Sequence, residues 1–188
     1  VLLLVSLKVY SQTDSFFVTK EPCTFLNKYK GYKLVLNHKK DSLIYSSSRF
    51  DYGLHRFINL NDSSKLLLIG QLLAFEMDSS FCCLDVIGHS FSGIEGCRGV
   101  PDSKRYPVQI DALYMINRLC WPNRIEQYSC YNVLNDTLTK KEINKDYRKI
   151  ATFFQDYKEW YQKCNTRKTI SKYFPFSRGR IVWFRGRK

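Results

Sequence analysis

The sequence predicts an α+β fold that is mainly β, with a long amphipathic helix near the C-terminus. Three observations carry that expectation. Apolar and polar residues alternate in short runs between about Tyr32 and Ile116, as they do in half-buried strands. From Thr139 the apolar period lengthens to that of a helix. From Arg167 the chain turns basic, with eight lysines and arginines and no acidic residue up to Lys188.

Composition sets the frame for these elements. The 188 residues suit one domain, or a domain and a tail. A hydrophobic content of 44% and an aromatic content of 15% supply a core and exclude disorder over the whole length. Thirty basic against 17 acidic residues leave a net charge of +13, which favours anionic partners such as nucleic acid, sulfated sugars or membrane surfaces. No apolar run reaches the roughly 18–20 residues that a membrane-spanning helix needs.

In chain order, Val1 to Leu7 is an apolar block followed by Val9-Tyr10-Ser11. It reads as a residual secretory signal over residues 1–12, or else as a short buried strand. Residues 13–166 read as a single domain. Tyr32, Leu34 and Leu36 alternate with Lys33, Val35 and Asn37, and the polar cluster His38 to Ser42 turns into Leu43-Ile44-Tyr45, a hairpin signature. Leu54 to Leu60 is a further strand candidate. Leu66 to Ile69, then Gly70-Gln71, then Leu72 to Met77 suggests two strands joined by a tight type II′ turn. Val108, Ile110, Ala112, Tyr114 and Ile116 alternate after Pro107. Five or six such strands suggest an antiparallel sheet or partial barrel.

Thr139-Lys-Lys-Glu142 has the form of a capping box. Ile143, Tyr147, Ile150, Phe154, Tyr157, Trp160, Tyr161 and Cys164 follow at helical spacing. Residues 167–188 read as a flexible basic tail. Phe174-Pro-Phe176 and Val182-Trp-Phe184 are interleaved in it, so it could serve as an arm for polyanions.

Seven cysteines, Cys23, Cys82, Cys83, Cys97, Cys120, Cys130 and Cys164, point to an oxidising, extracellular setting and to disulfides. The odd number leaves at least one unpaired or joined to another chain. In a strand, Cys82 and Cys83 would face opposite sides. Asn61-Asp-Ser63 and Asn135-Asp-Thr137 fit the N-glycosylation pattern. No Cys-x-x-Cys pair exists and His38, His55 and His89 are scattered, which argues against structural zinc. Glu76 and Asp78 would share one face of a strand and are the weak candidates for a calcium pair. No nucleophile elbow, phosphate-binding loop or zinc-protease motif occurs. A ribonuclease-like site would need two histidines and a lysine, for which His38 beside Lys39 and Lys40, and His55 beside Arg56, are the material.

A set of short motifs resembles the ependymin-related proteins. Glu21-Pro-Cys23 precedes Phe50-Asp-Tyr-Gly-Leu-His-Arg-Phe57 and the loop at Asn61-Asp62. Leu66 to Ile69 then leads to Leu73-Ala-Phe-Glu-Met-Asp78, Cys82-Cys83, and Pro107 with Asp111-Ala112. The resemblance spans Glu21 to Ala112. Thr139 to Cys164 departs from it, since the second half in that family is largely strands. It implies two curved antiparallel sheets around a hydrophobic pocket, and a disulfide between Cys23 and one of Cys82 or Cys83. By the same resemblance the protein would be secreted, glycosylated, often dimeric and not an enzyme. It would bind an apolar small molecule or lipid and calcium, and act at the cell–matrix interface. The alternative is a secreted basic effector that binds extracellular matrix or another polyanion through its tail, or a ribonuclease-like protein.

Overall fold

The computed structural model describes residues 16–23, 29–39, 43–46, 57–86, 99–122 and 128–184. The predicted signal segment, Cys97, His55 and His89 lie outside them. The class is α+β, but among the described residues three helices carry more residues than six short strands, so the expected β majority gives way there. Strands β1 (Phe16–Pro22), β2 (Tyr32–His38) and β3 (Leu43–Ser46) form one antiparallel sheet with β2 in the middle. Helix α1 (Asp62–Leu73) and helix α2 (Val108–Cys120) pack against it. A second sheet of β4 (Leu134–Asp136), β5 (Lys141–Glu142) and β6 (Ile181–Trp183) runs in the order β5-β4-β6, and helix α3 (Tyr147–Arg167) lies between β5 and β6 in the chain.

The predicted hairpin at 66–77 is α1 and a following turn. Asn61 caps this helix, its side chain accepting a hydrogen bond from the Ser64 amide at 2.9 Å. Leu66, Leu68, Ile69, Leu72 and Leu73 are buried. Gly70 is there for contact rather than for a turn: a Cβ at this position would lie 2.8 Å from the Tyr161 hydroxyl. Gln71 satisfies the outer edge of β1, accepting from the Val18 amide at 2.8 Å and donating to the Phe16 carbonyl at 3.2 Å. An edge strand left bare would be a template for aggregation.

The predicted strand at 108–116 is α2. Its alternation is real, but Leu113, Met115 and Leu119 fill the other sides, and every residue from Val108 to Leu119 is buried. An apolar run of this length that is buried all round suits a central helix, and periodicity alone does not separate it from a buried strand. The predicted strand at 54–60 is, in its described part, a helical turn at Phe57 and Ile58.

The long C-terminal helix exists, but it starts later and is capped otherwise. Asp146 accepts from the Lys149 amide at 3.1 Å. Thr139 and Glu142 form no capping box. The Thr139 amide donates to Asp136 in a tight turn, Lys140 is left-handed at φ 56°, and Glu142 belongs to β5. On α3, Ile150, Phe153, Phe154, Tyr157, Trp160 and Cys164 are buried, while Tyr147 is exposed.

The basic segment is the largest revision. Residues 168–184, expected in a flexible tail, are woven into the core. Ile170, Phe174, Phe176, Ile181 and Trp183 are buried, and β6 pairs with β4 from Leu134–Trp183 to Asp136–Ile181. Phe176 stacks on Tyr157 with ring centroids 3.7 Å apart, and Phe174 meets Trp121 edge-on at 5.1 Å. Trp183 Nε1 donates to the Tyr157 hydroxyl at 2.8 Å, and that hydroxyl donates to Asn117 Oδ1 at 2.6 Å. This chain ties β6, α3 and α2 together and satisfies Trp183 Nε1, the Tyr157 hydroxyl and Asn117 Oδ1, while Asn117 Nδ2 is left without a partner.

Asp136 is the charged pivot of the second sheet. Its fully buried carboxylate meets Lys149 at 2.9 Å and Arg180 at 3.3 Å, and accepts from the Leu138 and Thr139 amides. The Lys149 bond, ahead of the Arg180 and backbone bonds, holds its acid dissociation well below the usual carboxylate range, against the opposing effect of desolvation. A depressed folded-state pKa contributes stability above the unfolded value of 3.8 that is lost as pH falls below it. Denaturant midpoints should therefore drop on acidification below about pH 4. Asp136→Asn should flatten that acid limb; an unchanged limb in the variant would show that other carboxylates set it.

Candidate functional site

The described surface includes a smaller and a larger recess. The smaller, about 470 Å³, lies where α1 and its following turn meet α3. Gly70, Leu73, Ala74, Met77 and Tyr161 line it, with the Glu76–Lys158 ion pair at its edge. The larger, about 910 Å³, is an open groove between the loop at 99–106 and the β4–β5 hairpin. Phe81 and Phe184 add aromatic surface to it.

The groove is built from the backbone outward. Gly99 takes the left-handed φ of 78° and its carbonyl accepts from the Tyr131 hydroxyl at 3.1 Å. Glu142, projecting from β5, receives the Asp102 and Ser103 amides on its two carboxylate oxygens, each at 2.7 Å. That fork pins the loop to the hairpin. The far end is anchored by buried Tyr106, whose carbonyl accepts from the Cys82 amide at 2.9 Å. Phe184, next after β6, donates its amide to the Val133 carbonyl at 2.8 Å and meets Tyr131 edge-on.

Five basic side chains line the groove: Lys104, Arg105, Lys140, Lys141 and Lys145. Two acidic ones, Asp102 and Glu142, stand against them. Glu142 is already committed to the loop amides. The four lysines are exposed, while Arg105 is half-buried, lying over Phe81 at 4.3 Å and Tyr29 at 4.9 Å. Lys140 occupies a left-handed position, a conformation that favours glycine. Among the described residues, Arg105 Nε and Asn135 Oδ1 find no hydrogen-bond partner. The arrangement offers a concave positive surface with little counter-charge, suited to an extended anion.

The sequence-predicted sites fall elsewhere. Cys23 and Cys83 form a disulfide, 60 residues apart in sequence. Cys130 is also disulfide-bonded. Parity requires at least one unpaired cysteine; three described ones, Cys82, Cys120 and Cys164, are free thiols. Cys82 points into the core, where burial and then the nearby Asp111 charge push its thiol well above the usual range. Burial likewise raises Cys120 and Cys164. Low-pKa reactivity is therefore not a property of these thiols.

Glu76 and Asp78 do not share a strand face. Both belong to the irregular stretch after α1. Glu76 pairs with Lys158 and accepts from Gln155, whereas Asp78 pairs with Lys20 at 2.6 Å. Calcium needs six to eight oxygens; these two carboxylates face separate ammonium groups instead. Among the described residues no group of three or more His, Cys, Asp or Glu could hold a metal ion. His38 ends β2 and stacks on Phe16 at 4.5 Å. Asn61 is exposed at the start of α1, while Asn135 is half-buried in the central strand of its sheet and lines the groove. No helix among the described residues is long and apolar enough to cross a membrane.

No protein-family model, no curated protein and no solved structure matches this chain.

Sequence reasoning missed the groove because its cations come from two segments about 40 residues apart, Lys104-Arg105 and Lys140 to Lys145. One signal was available: Lys140 and Lys141 lie within the predicted capping box, and Lys145 follows three residues after it.

Proposed function

We propose that this chain is a secreted, non-enzymatic, disulfide-bonded protein that binds a polyanion in the groove between the 99–106 loop and the β4–β5 hairpin. The observation that carries the reading is the convergence of Lys104, Arg105, Lys140, Lys141 and Lys145 on one concavity in which the Glu142 carboxylate is held by backbone amides. The Cys23–Cys83 bond supports an oxidising compartment. Attachment through the basic tail is replaced here by attachment through the groove, because the aromatic residues of that tail are core residues.

Elution of the native protein and of K140A/K141A/K145A from immobilised dextran sulfate and single-stranded DNA, over a salt gradient, tests this. The native protein should elute late with a steep salt dependence, and the variant markedly earlier. Equal elution of the two proteins on both matrices would sink the groove as the site.

A second reading keeps the ependymin-like carrier of an apolar ligand. Cys23–Cys83 favours it, being a pairing that the resemblance implies. The recess between α1 and α3 would hold the ligand, each buried methylene contributing about 0.8 kcal/mol. Calcium at Glu76 and Asp78 is not part of this reading. Organic extraction of the secreted protein tests it: recovered lipid supports a carrier, and a clean extract counts against one.

A further inference from the structure

We infer that the polyanion taken by the groove is a sulfated polysaccharide strand rather than a nucleic acid. The inference rests on the groove being a polyanion site and goes on to name the ligand class. The first argument is the kind of cation. Lys104, Lys140, Lys141 and Lys145 present ammonium groups, which meet anions as point charges, Lys104 also donating to the Pro101 carbonyl at 3.2 Å. Arg105, the one guanidinium, lies against Tyr29 and Phe81 and donates to the Lys30 carbonyl at 3.3 Å. One of its five donors is thus spent within the protein, and the groove relies mainly on its ammonium groups rather than on the bidentate fork that reads phosphate or guanine.

The second argument concerns stacking. Single-stranded nucleic acid draws much of its affinity from bases laid on aromatic faces. In this groove Arg105 covers one face of Phe81, and Phe184 is half-buried with its ring held edge-on to Tyr131 at 5.5 Å. Phe81 is 46% exposed, so the groove offers at most this one remaining aromatic face to a base. Shape argues against a duplex, whose major groove is read by an element that enters it, because this site is a concavity of about 910 Å³. A thin, flexible chain fits it.

The test uses full-length protein from secreting cells at physiological salt. Binding is measured by calorimetry to a heparin oligosaccharide, the same oligosaccharide chemically desulfated, oligothymidylate of equal charge, and phosphatidylserine vesicles. Heparin should bind tightest, with desulfation costing about tenfold or more. K140A/K141A/K145A should lose on the order of 100-fold, at about fivefold per lysine. K163A/K172A/R178A, which removes equal charge from exposed sites outside the groove, should lose less than about fivefold. Oligothymidylate or vesicles binding as tightly as heparin, or desulfated heparin binding unchanged, would overturn the sulfated-glycan inference while leaving a polyanion site. Failure to bind any of the four would overturn the polyanion reading itself.

Discussion

A chain ending at Lys168 is expected to be unfolded, not merely weaker in binding. The deleted segment contributes Ile170, Phe174, Phe176, Ile181 and Trp183 to the core. At roughly 1.5–3 kcal/mol for each large apolar side chain taken from water, their loss is on the order of 10 kcal/mol. That equals the whole stability of a typical domain, about 5–15 kcal/mol. The deletion also strips β4 of its β6 partner and leaves Tyr157 and Trp121 without Trp183, Phe174 and Phe176. A truncation can fail for trivial reasons, so Trp183→Ala is the milder companion. Removing this fully buried ring should cost about 3–5 kcal/mol. Tyr157→Phe should cost about 1–3 kcal/mol, because Trp183 Nε1 loses its acceptor and Asn117 its donor. Denaturant melts followed by near-ultraviolet circular dichroism read all three. A truncated chain that melts cooperatively near the full-length midpoint would show that the segment is an appendage.

Loss of the Cys23–Cys83 bond is the second large effect, expected at about 4 kcal/mol from the entropy of a loop of 60 residues. The bond sits at a seam. The Cys23 amide donates to the Gly31 carbonyl at 3.0 Å, the Tyr32 amide to Phe81 at 2.9 Å, and the Cys83 amide back to Tyr32 at 2.9 Å. Gly31 lies so close to the Phe81 carbonyl that a Cβ there would collide with it. The 81–83 segment thus runs beside the open end of the β1–β2 hairpin, and the disulfide closes the join. Cys83→Ala alone would leave Cys23 free to attack elsewhere, so the double variant C23A/C83A isolates the effect. Unfolding midpoints in urea should fall by the equivalent of about 4 kcal/mol. A shift below about 1 kcal/mol would mean that the unfolded chain is already constrained there.

Both predictions bear on function through the groove. Phe184 reaches the groove because β6 is paired to β4, and Phe81 reaches it because the seam holds the 81–83 segment. Lys104 and Arg105 depend on Tyr106, whose carbonyl accepts from the amide of Cys82. Loss of either support should therefore weaken polyanion binding along with stability. Substitution of the exposed lysines should weaken binding alone.

What the sequence determined by itself is what depends on neighbours in the chain. The hairpin of β2 and β3 follows from local alternation on either side of a polar cluster, and it pairs as Asn37–Ile44 and His38–Leu43. The amphipathic helix ending near Cys164 to Arg167 follows from a period that can be counted, and the excess of positive charge is fixed by composition. The tertiary structure decided the rest. Leu66 to Leu73 and Val108 to Ile116 are apolar runs that satisfy strand and helix templates alike. They became helices because Asn61 offers a cap, Gly70 lets α3 approach, and α2 is surrounded on every side. The basic tail reads as solvated because its charges are counted before its rings are placed. Its phenylalanines and Trp183 find partners on α2 and α3 that no local pattern announces. The groove is of the same kind, since Glu142 had to meet the amides of Asp102 and Ser103 before the lysines on either side could form one positive surface.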